Sequence, residues 1–147
     1  MSDGLGLCQL MGSYEHSLDD KGRLNFPIKL REQLGETFWV TRGTSGRFLA
    51  VYSNEGWQDV MQQIMDVDGP EGEKLRRWMC SGAVEVTPDK QGRILIPQPL
   101  RNYAGIQRKV AVIGAGKKAE IWDYDAYMAD DMNYSPSGSG VLNGLRL

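Results

Sequence analysis

Two ten-residue stretches decide how this chain folds: Leu18–Pro27, which reads LDDKGRLNFP, and Pro88–Pro97, which reads PDKQGRILIP. They lie 70 residues apart, and the same offset aligns identical residues on both sides of them without a gap. The residues of the first copy that recur identically are Gly12, Glu15, Asp19, Gly22, Arg23, Pro27, Leu30, Arg31, Gly35, Val40 and Gly46. A repeat of this length predicts a duplicated structural unit.

One unit reads as two strands, a short helix, two more strands and a second helix. Asp19–Gly22 has the composition of a tight turn between the first two strands. Pro27 and Gly35 mark the start and the end of the short helix. Ser53 is an N-cap residue for the second helix, and Asp123 is the corresponding cap in the second unit. The order of elements in each unit is therefore β-β-α-β-β-α.

The repeat divides the chain into four segments. The first unit covers residues 12–65, a loop and helix cover 66–81, the second unit covers 82–132, and the tail covers 133–147. The tail is rich in Ser and Gly, a composition typical of a flexible linker. Each unit has four short strands, which we expect to be too few to close a stable core alone. We therefore expect the two units to pack or interleave into one pseudo-symmetric, barrel-like core of the β-rich α+β class.

The charge balance restricts where a polyanion could bind. The 147 residues include 17 basic and 19 acidic side chains, for a net charge of −2. This balance argues against attraction of the whole molecule to nucleic acid, so a DNA site has to be a local basic patch. Residues 19–31 and 89–101 each carry a net charge of +2.

These two basic segments contain the motif Asp-x-x-Gly-Arg. In each copy the Asp can accept hydrogen bonds from loop N–H groups, and the Gly permits a positive φ. One interpretation is that the Asp–Arg pair only braces a hairpin. The other is that the loops present cations to phosphates and base edges. On the second interpretation the DNA-binding residues are Lys21, Arg23, Lys90 and Arg93, and the loop-structuring residues are Asp19, Gly22, Asp89 and Gly92. Arg31 and Arg101, on the short helices, are candidates for additional phosphate contacts.

Other chemistries find little support in the sequence. Cys8, Cys80 and the lone His16 are too few for a metal site, and we expect neither catalytic residues nor a cofactor. Residues 110–119 imitate a G-x-G-x-x-A dinucleotide motif, but strand residues resume at once, which predicts a hairpin turn. The chain has no apolar run of membrane-spanning length, and Met1–Cys8 lacks the basic start of a signal peptide. We expect a cytosolic protein with no small-molecule substrate.

The two stretches, together with Leu30–Arg31, Leu100–Arg101 and Glu120–Asp123, resemble the MraZ family of bacterial transcriptional regulators. The resemblance covers about residues 12–132. It implies two AbrB-like swapped-hairpin units in one chain, a ring-shaped homo-oligomer and no enzymatic activity. It also implies binding to repeats upstream of the division and cell-wall gene cluster, in the nucleoid.

By the same resemblance, Arg23 and Arg93 with their loop neighbours contact the DNA. Gln91 stands where the first loop has Lys21, so we expect the two loops to contribute unequally. A ring presents its loops head to tail, which predicts short direct repeats in double-stranded DNA about 10–10.5 bp apart. We expect the regulator to be a repressor. The alternatives are an AbrB-like protein-interaction or antitoxin module and, less favoured, a nucleotide-dependent enzyme.

Overall fold

A computed structural model describes residues 9–147 and has a mixed α+β fold. The strands are β1 Ser13–Ser17, β2 Arg23–Asn25, β3 Phe38–Arg42, β4 Leu49–Ser53, β5 Val84–Val86, β6 Arg93–Leu95, β7 Lys109–Gly114 and β8 Ala119–Asp123. The helices are α1 Ile28–Leu34, α2 Asn54–Met65, α3 Gly69–Ser81, α4 Gln98–Ala104 and α5 Tyr124–Met132. Both units therefore have the predicted order of elements. Cys8 and the expectation about Met1–Cys8 lie outside the described residues.

The two units interleave in one antiparallel sheet of six strands, ordered β1-β7-β8-β4-β3-β5. Strand β1 of the first unit pairs with β7 of the second unit. In return, β5 of the second unit pairs with β3 of the first unit. The first strand of each unit thus completes the sheet of the other unit, so neither unit holds its full set of strand partners alone.

The pairing registers follow the 70-residue repeat. At the centre of the sheet, β4 and β8 pair so that Ala50 faces Glu120, its repeat equivalent. Strands β2 and β6 form a separate two-stranded sheet in which Leu24 faces its own equivalent, Ile94. Both pairings are symmetric about these positions, so an approximate twofold axis relates the two units.

The expected closure into a barrel is wrong, because the six-stranded sheet is open. Within residues 9–147, strands β1 and β5 are its two edges, and no ladder joins them. After their loops, β2 and β6 leave the main sheet and form a ladder with each other, and Leu24 of β2 also makes an isolated bridge to Leu18.

The core lies between the two sheets and the helices α1 and α4. It includes Leu24, Ile94, Leu30 and Leu100, all buried. Both predicted caps are confirmed: the Ser53 hydroxyl accepts from the Gly56 N–H at 3.0 Å, and the Asp123 carboxylate accepts from the Ala126 N–H at 3.2 Å. None of the helices in residues 9–147 is long and apolar enough to span a membrane.

Candidate nucleic-acid interface

The candidate interface is the two-stranded sheet of β2 and β6, which we call the ribbon, with its two loops, Asp19–Gly22 (loop 1) and Asp89–Gly92 (loop 2). Leu24 and Ile94 turn inward, with 0% and 1% of their surface exposed. Side chains alternate between the faces of a strand, so the neighbours of these two residues point outward. The outward residues of the ribbon are Arg23, Asn25, Arg93 and Leu95.

In loop 1 the Asp19 carboxylate organises the turn. Its Oδ1 accepts from the backbone N–H groups of Lys21 at 2.9 Å and Arg23 at 2.8 Å. Its Oδ2 accepts from the Arg23 Nε at 2.7 Å. Gly22 has φ +84°, a conformation that favours glycine, and its N–H donates to the Asp19 carbonyl at 3.0 Å. The turn and the orientation of the arginine are therefore set by the same carboxylate.

Loop 2 repeats this arrangement. The Asp89 Oδ1 accepts from the N–H groups of Gln91 and Arg93, both at 2.9 Å, and its Oδ2 accepts from the Arg93 Nε at 2.9 Å. Gly92 has φ +82°, and its N–H donates to the Asp89 carbonyl at 2.9 Å. The motif thus specifies one loop geometry twice.

Hydrogen bonds to the charged form stabilise these carboxylates as anions. The backbone N–H of Arg23 is the largest cause that lowers the pKa of Asp19, and the Arg23 side chain adds to it, bringing the pKa to about 2. The backbone N–H of Arg93 likewise lowers the pKa of Asp89, with a further contribution from the Arg93 guanidinium. Both carboxylates therefore stay ionised at neutral pH, and each loop keeps its Asp–Arg ion pair.

The Asp–Arg ion pair leaves the η nitrogens of each arginine available. Arg23 and Arg93 use Nε for the Asp, and within residues 9–147 their η nitrogens make no intramolecular hydrogen bond. Their side chains are 33% and 30% exposed. A guanidinium fixed at Nε with free η nitrogens is a rigid fork for a phosphate or a guanine edge. The two interpretations of the motif, bracing and binding, are thus physically compatible.

Each loop also touches the helix of the other unit. The Arg31 Nε donates to the Phe26 carbonyl at 3.1 Å, and its guanidinium lies against Gly92. Reciprocally, the Arg101 Nε donates to the Ile96 carbonyl at 2.9 Å, and its guanidinium lies against Gly22. A Cβ placed on Gly22 or Gly92 would come within 2.9 or 2.8 Å of the arginine Cζ. Arg31 and Arg101 therefore support the loops, in half-buried positions beside the ribbon.

The tips of the two loops differ. Lys21 and Lys90 are both exposed, and neither has an ion pair in the part of the chain from residue 9 onward. Asp20 in loop 1 forms an exposed ion pair with Arg108 at 3.2 Å, whereas the repeat-equivalent position in loop 2 is Lys90. Loop 1 thus carries an acidic and a basic tip residue, and loop 2 carries a single basic one.

The sequence reasoning missed two outward residues of the ribbon. Asn25 is exposed, and its side chain makes no hydrogen bond among the described residues. Leu95 is 55% exposed although it is large and apolar. The signal that could have found them is the strand alternation itself, because residues two apart share a face.

The remaining candidates form no site in the described residues. No three His, Cys, Asp or Glu side chains converge there as metal ligands. The predicted hairpin turn at residues 110–119 is confirmed: β7 and β8 pair antiparallel, and the Ala115 N–H donates to the Lys118 carbonyl at 2.8 Å. No helix begins at these glycines to hold a pyrophosphate.

Comparison with known proteins identifies similar chains. The model of the MraZ family, described as MraZ protein and antitoxin-like, matches residues 9–76 and 79–131. A protein of Heliobacterium modesticaldum named transcriptional regulator MraZ is 40% identical over 137 residues, which cover 92% of this chain and 95% of the relative. The protein of the same name from Kocuria rhizophila is 46% identical over 141 residues, covering 92% and 98%. A third, from Lachnoclostridium phytofermentans, is 43% identical over 118 residues, covering 80% and 83%.

Proposed function

Because the chain belongs to the MraZ family, we propose that it is a sequence-specific DNA-binding regulator of transcription. The relatives carry the name of transcriptional regulators. The observation that carries the proposal is the pair of arginines on the outward face of the ribbon, each held by an Asp through Nε and open at its η nitrogens.

In this proposal the residues of the ribbon and of the loops contact different parts of the DNA. Arg23 and Arg93 donate from their η nitrogens to the O6 and N7 acceptors of guanine, the contact for which a guanidinium fork is best suited. Lys21 and Lys90, exposed at the loop tips, contact phosphates and set the register. Arg31 and Arg101 lie close enough to the loops to add phosphate contacts through nitrogens other than Nε.

The larger architecture is proposed on the same basis. The exchange of β1 and β5 between units supports a duplicated AbrB-like swapped-hairpin arrangement, with the unit boundaries at residues 12–65, 66–81, 82–132 and 133–147. Several chains would assemble into a ring, and the array of loops would engage short direct repeats in double-stranded DNA. Linked weak contacts of this kind gain affinity through their effective concentration.

The biological role follows the family resemblance. We propose a repressor that acts at promoter repeats of the division and cell-wall gene cluster, without enzymatic activity. It would work in the cytoplasm and associate with the nucleoid.

The test is a gel shift with the DNA upstream of the protein's own operon and a scrambled duplex of equal length. We expect the intact chain to bind the upstream DNA preferentially and Arg23→Ala or Arg93→Ala to weaken that binding. Each lost bidentate contact is worth about 1–3 kcal/mol. Arg77→Ala on α3 is the matched control, because Arg77 is an exposed arginine outside the ribbon. Equal binding by all four proteins, each shown to be folded, would refute the proposal.

A second function is favoured by one observation: the family model is described as antitoxin-like. A protein-interaction or antitoxin module would use the same exposed ribbon against a protein partner. The gel shift separates the two functions, because an interaction module alone would show no preference for the upstream duplex.

A further inference from the structure

The outward face of the ribbon carries the same arginine twice beside two different neighbours. Arg23 and Arg93 are repeat equivalents, and so are Asn25 and Leu95. The twofold axis through the Leu24–Ile94 pair relates the members of each set. The face is therefore symmetric in its cations and asymmetric in its second pair of residues, which are an amide and an aliphatic side chain.

The register places these four side chains in two rows. Arg23 lies directly opposite Leu95, and Asn25 lies directly opposite Arg93. Directly opposed side chains have Cβ atoms about 4.5–5.5 Å apart, so each arginine has one of the unlike residues beside it. The rows are two residues apart, about 6.8 Å along a strand. This distance is close to two base-pair steps of about 3.4 Å each.

The chemistry of the two residues suits base edges better than phosphates. Asn25 is exposed and has no hydrogen-bond partner among the described residues, and an asparagine amide pairs with adenine at N6 and N7. Leu95 is 55% exposed between charged neighbours, where it can give nothing to a phosphate. An apolar side chain in the major groove contacts the thymine methyl, and that groove admits a two-stranded ribbon.

We propose that Asn25 and Leu95 are specificity-determining residues that give each chain one orientation on DNA. From the two rows of the ribbon, Asn25 hydrogen-bonds to an adenine and Leu95 contacts a thymine methyl. Both contacts lie in the major groove, about two base pairs apart. The symmetric arginines alone would accept the site in either direction. The inference rests on the proposed function, since it requires the ribbon to bind duplex DNA.

The test makes the face symmetric. Leu95→Asn places Asn on both sides of the twofold axis, and Asn25→Leu places Leu on both sides. Each variant and the unaltered chain select binding sites from a pool of duplexes with a randomised central segment. The unlike loop tips are assigned to phosphates, which carry no sequence information. We therefore expect the unaltered chain to select an asymmetric element, and each variant to select an element whose two halves are related by a twofold at the bases beneath the ribbon. Gln58→Leu, at an exposed position of α2, is the matched polar-to-apolar control and keeps the asymmetric element.

The size of the effect is set by the lost contact. Replacing Asn25 should reduce the preference for its adenine over other bases by roughly 5- to 150-fold, while binding to unselected DNA stays unchanged. The inference is overturned if Arg23→Ala lowers affinity but both symmetric variants still select the asymmetric element. It is also overturned if Leu95→Asn changes only the assembly mass by light scattering, because Leu95 would then belong to a contact between chains. Absence of duplex binding by the unaltered chain would remove both the inference and the proposed function.

Discussion

At the scale of single residues, one carboxylate of the Asp-x-x-Gly-Arg motif both closes the loop and orients the arginine. Asp19 closes the loop through two backbone N–H groups and fixes the Arg23 side chain through Nε. The arginine is thereby held in one direction before any partner arrives, which reduces the entropy that binding would cost. Asp89 holds Arg93 in the same way, so this orientation of the arginine is a property of the motif and not of one loop.

The first prediction concerns the titration of Asp19. Its pKa of about 2 lies below the ordinary value of 3.8, so its stabilising contacts are fully present above pH 3.8 and are lost as the pH falls through about 2. Carboxyl NMR titration measures this directly. In Arg23→Ala we expect the pKa to rise only part of the way, because the backbone N–H of residue 23, the largest cause, remains. An ordinary pKa for Asp19 in the unaltered chain would show that these hydrogen bonds to its carboxylate are absent in solution.

At the scale of elements, the ribbon and its loops are linked to helices of the opposite unit. Arg101 of α4 lies against Gly22, and Arg31 of α1 lies against Gly92. The Phe26 N–H donates to the Gly92 carbonyl and the Ile96 N–H to the Gly22 carbonyl, both at 3.0 Å. Each loop is thus positioned by residues of both units.

Gly22→Ala tests this contact. It should destabilise the fold by about 1–2 kcal/mol from the left-handed backbone alone, and further because the new Cβ would meet Arg101. Gly105→Ala is the matched control, since Gly105 also has a positive φ but nothing within 4 Å of the added atom. In urea unfolding, Arg101→Ala should relieve part of the Gly22→Ala penalty, with a coupling of about 0.5 kcal/mol or more. Equal penalties at Gly22 and Gly105, with no coupling, would contradict the contact.

The elements were predictable from the sequence where local signals agree. The turn at Asp19–Gly22, the caps at Ser53 and Asp123, and the order of strands and helices all follow from the repeat and from short-range chemistry. The partners of the strands were not predictable, because pairing β1 with β7 is a tertiary choice that residue types leave open. The predicted barrel failed for this reason.

The glycine that follows α3 illustrates a similar limit. Gly82 directly follows the last residue of α3, Ser81. Its φ of −94° is ordinary for any residue. An added Cβ at Gly82 would lie 2.6 Å from the Arg42 Nε, so the Arg42 side chain would have to move to accommodate any other residue. A contact between residues 40 positions apart leaves no trace in a local sequence pattern.

At the scale of the whole molecule, the first strand of each unit pairs in the sheet of the other unit, so we expect the two units to unfold together. We predict a single unfolding transition in urea. Leu24 and Ile94 lie at the fully buried centre of the ribbon. Replacing either by Ala should reduce the free energy of unfolding by about 2–5 kcal/mol and so lower the urea midpoint of that same transition. Two transitions, each sensitive to only one of the substitutions, would mean that the units are independent domains.

The proposed array of loops makes a prediction about the DNA. Sites on one face of B-DNA recur about every 10–10.5 bp, so inserting about 5 bp between two operator repeats should move one of them to the opposite face. We expect a sharp loss of affinity in a fluorescence-anisotropy titration, and recovery after an insertion of a full turn. Full affinity with the half-turn insertion would exclude simultaneous engagement of neighbouring repeats.

We propose that the oriented guanidinium groups of Arg23 and Arg93, rather than positive charge alone, recognise the DNA. Affinity titrations of Arg23→Lys and Arg93→Lys on the upstream duplex and a scrambled duplex test it most directly. Lysine keeps the charge but loses both the Nε bond to the Asp and the bidentate fork. We predict that each variant loses about 1 kcal/mol or more of its preference for the upstream duplex, while Arg77→Lys on α3 loses none. Preferences equal to that of the unaltered chain in both lysine variants would contradict the account.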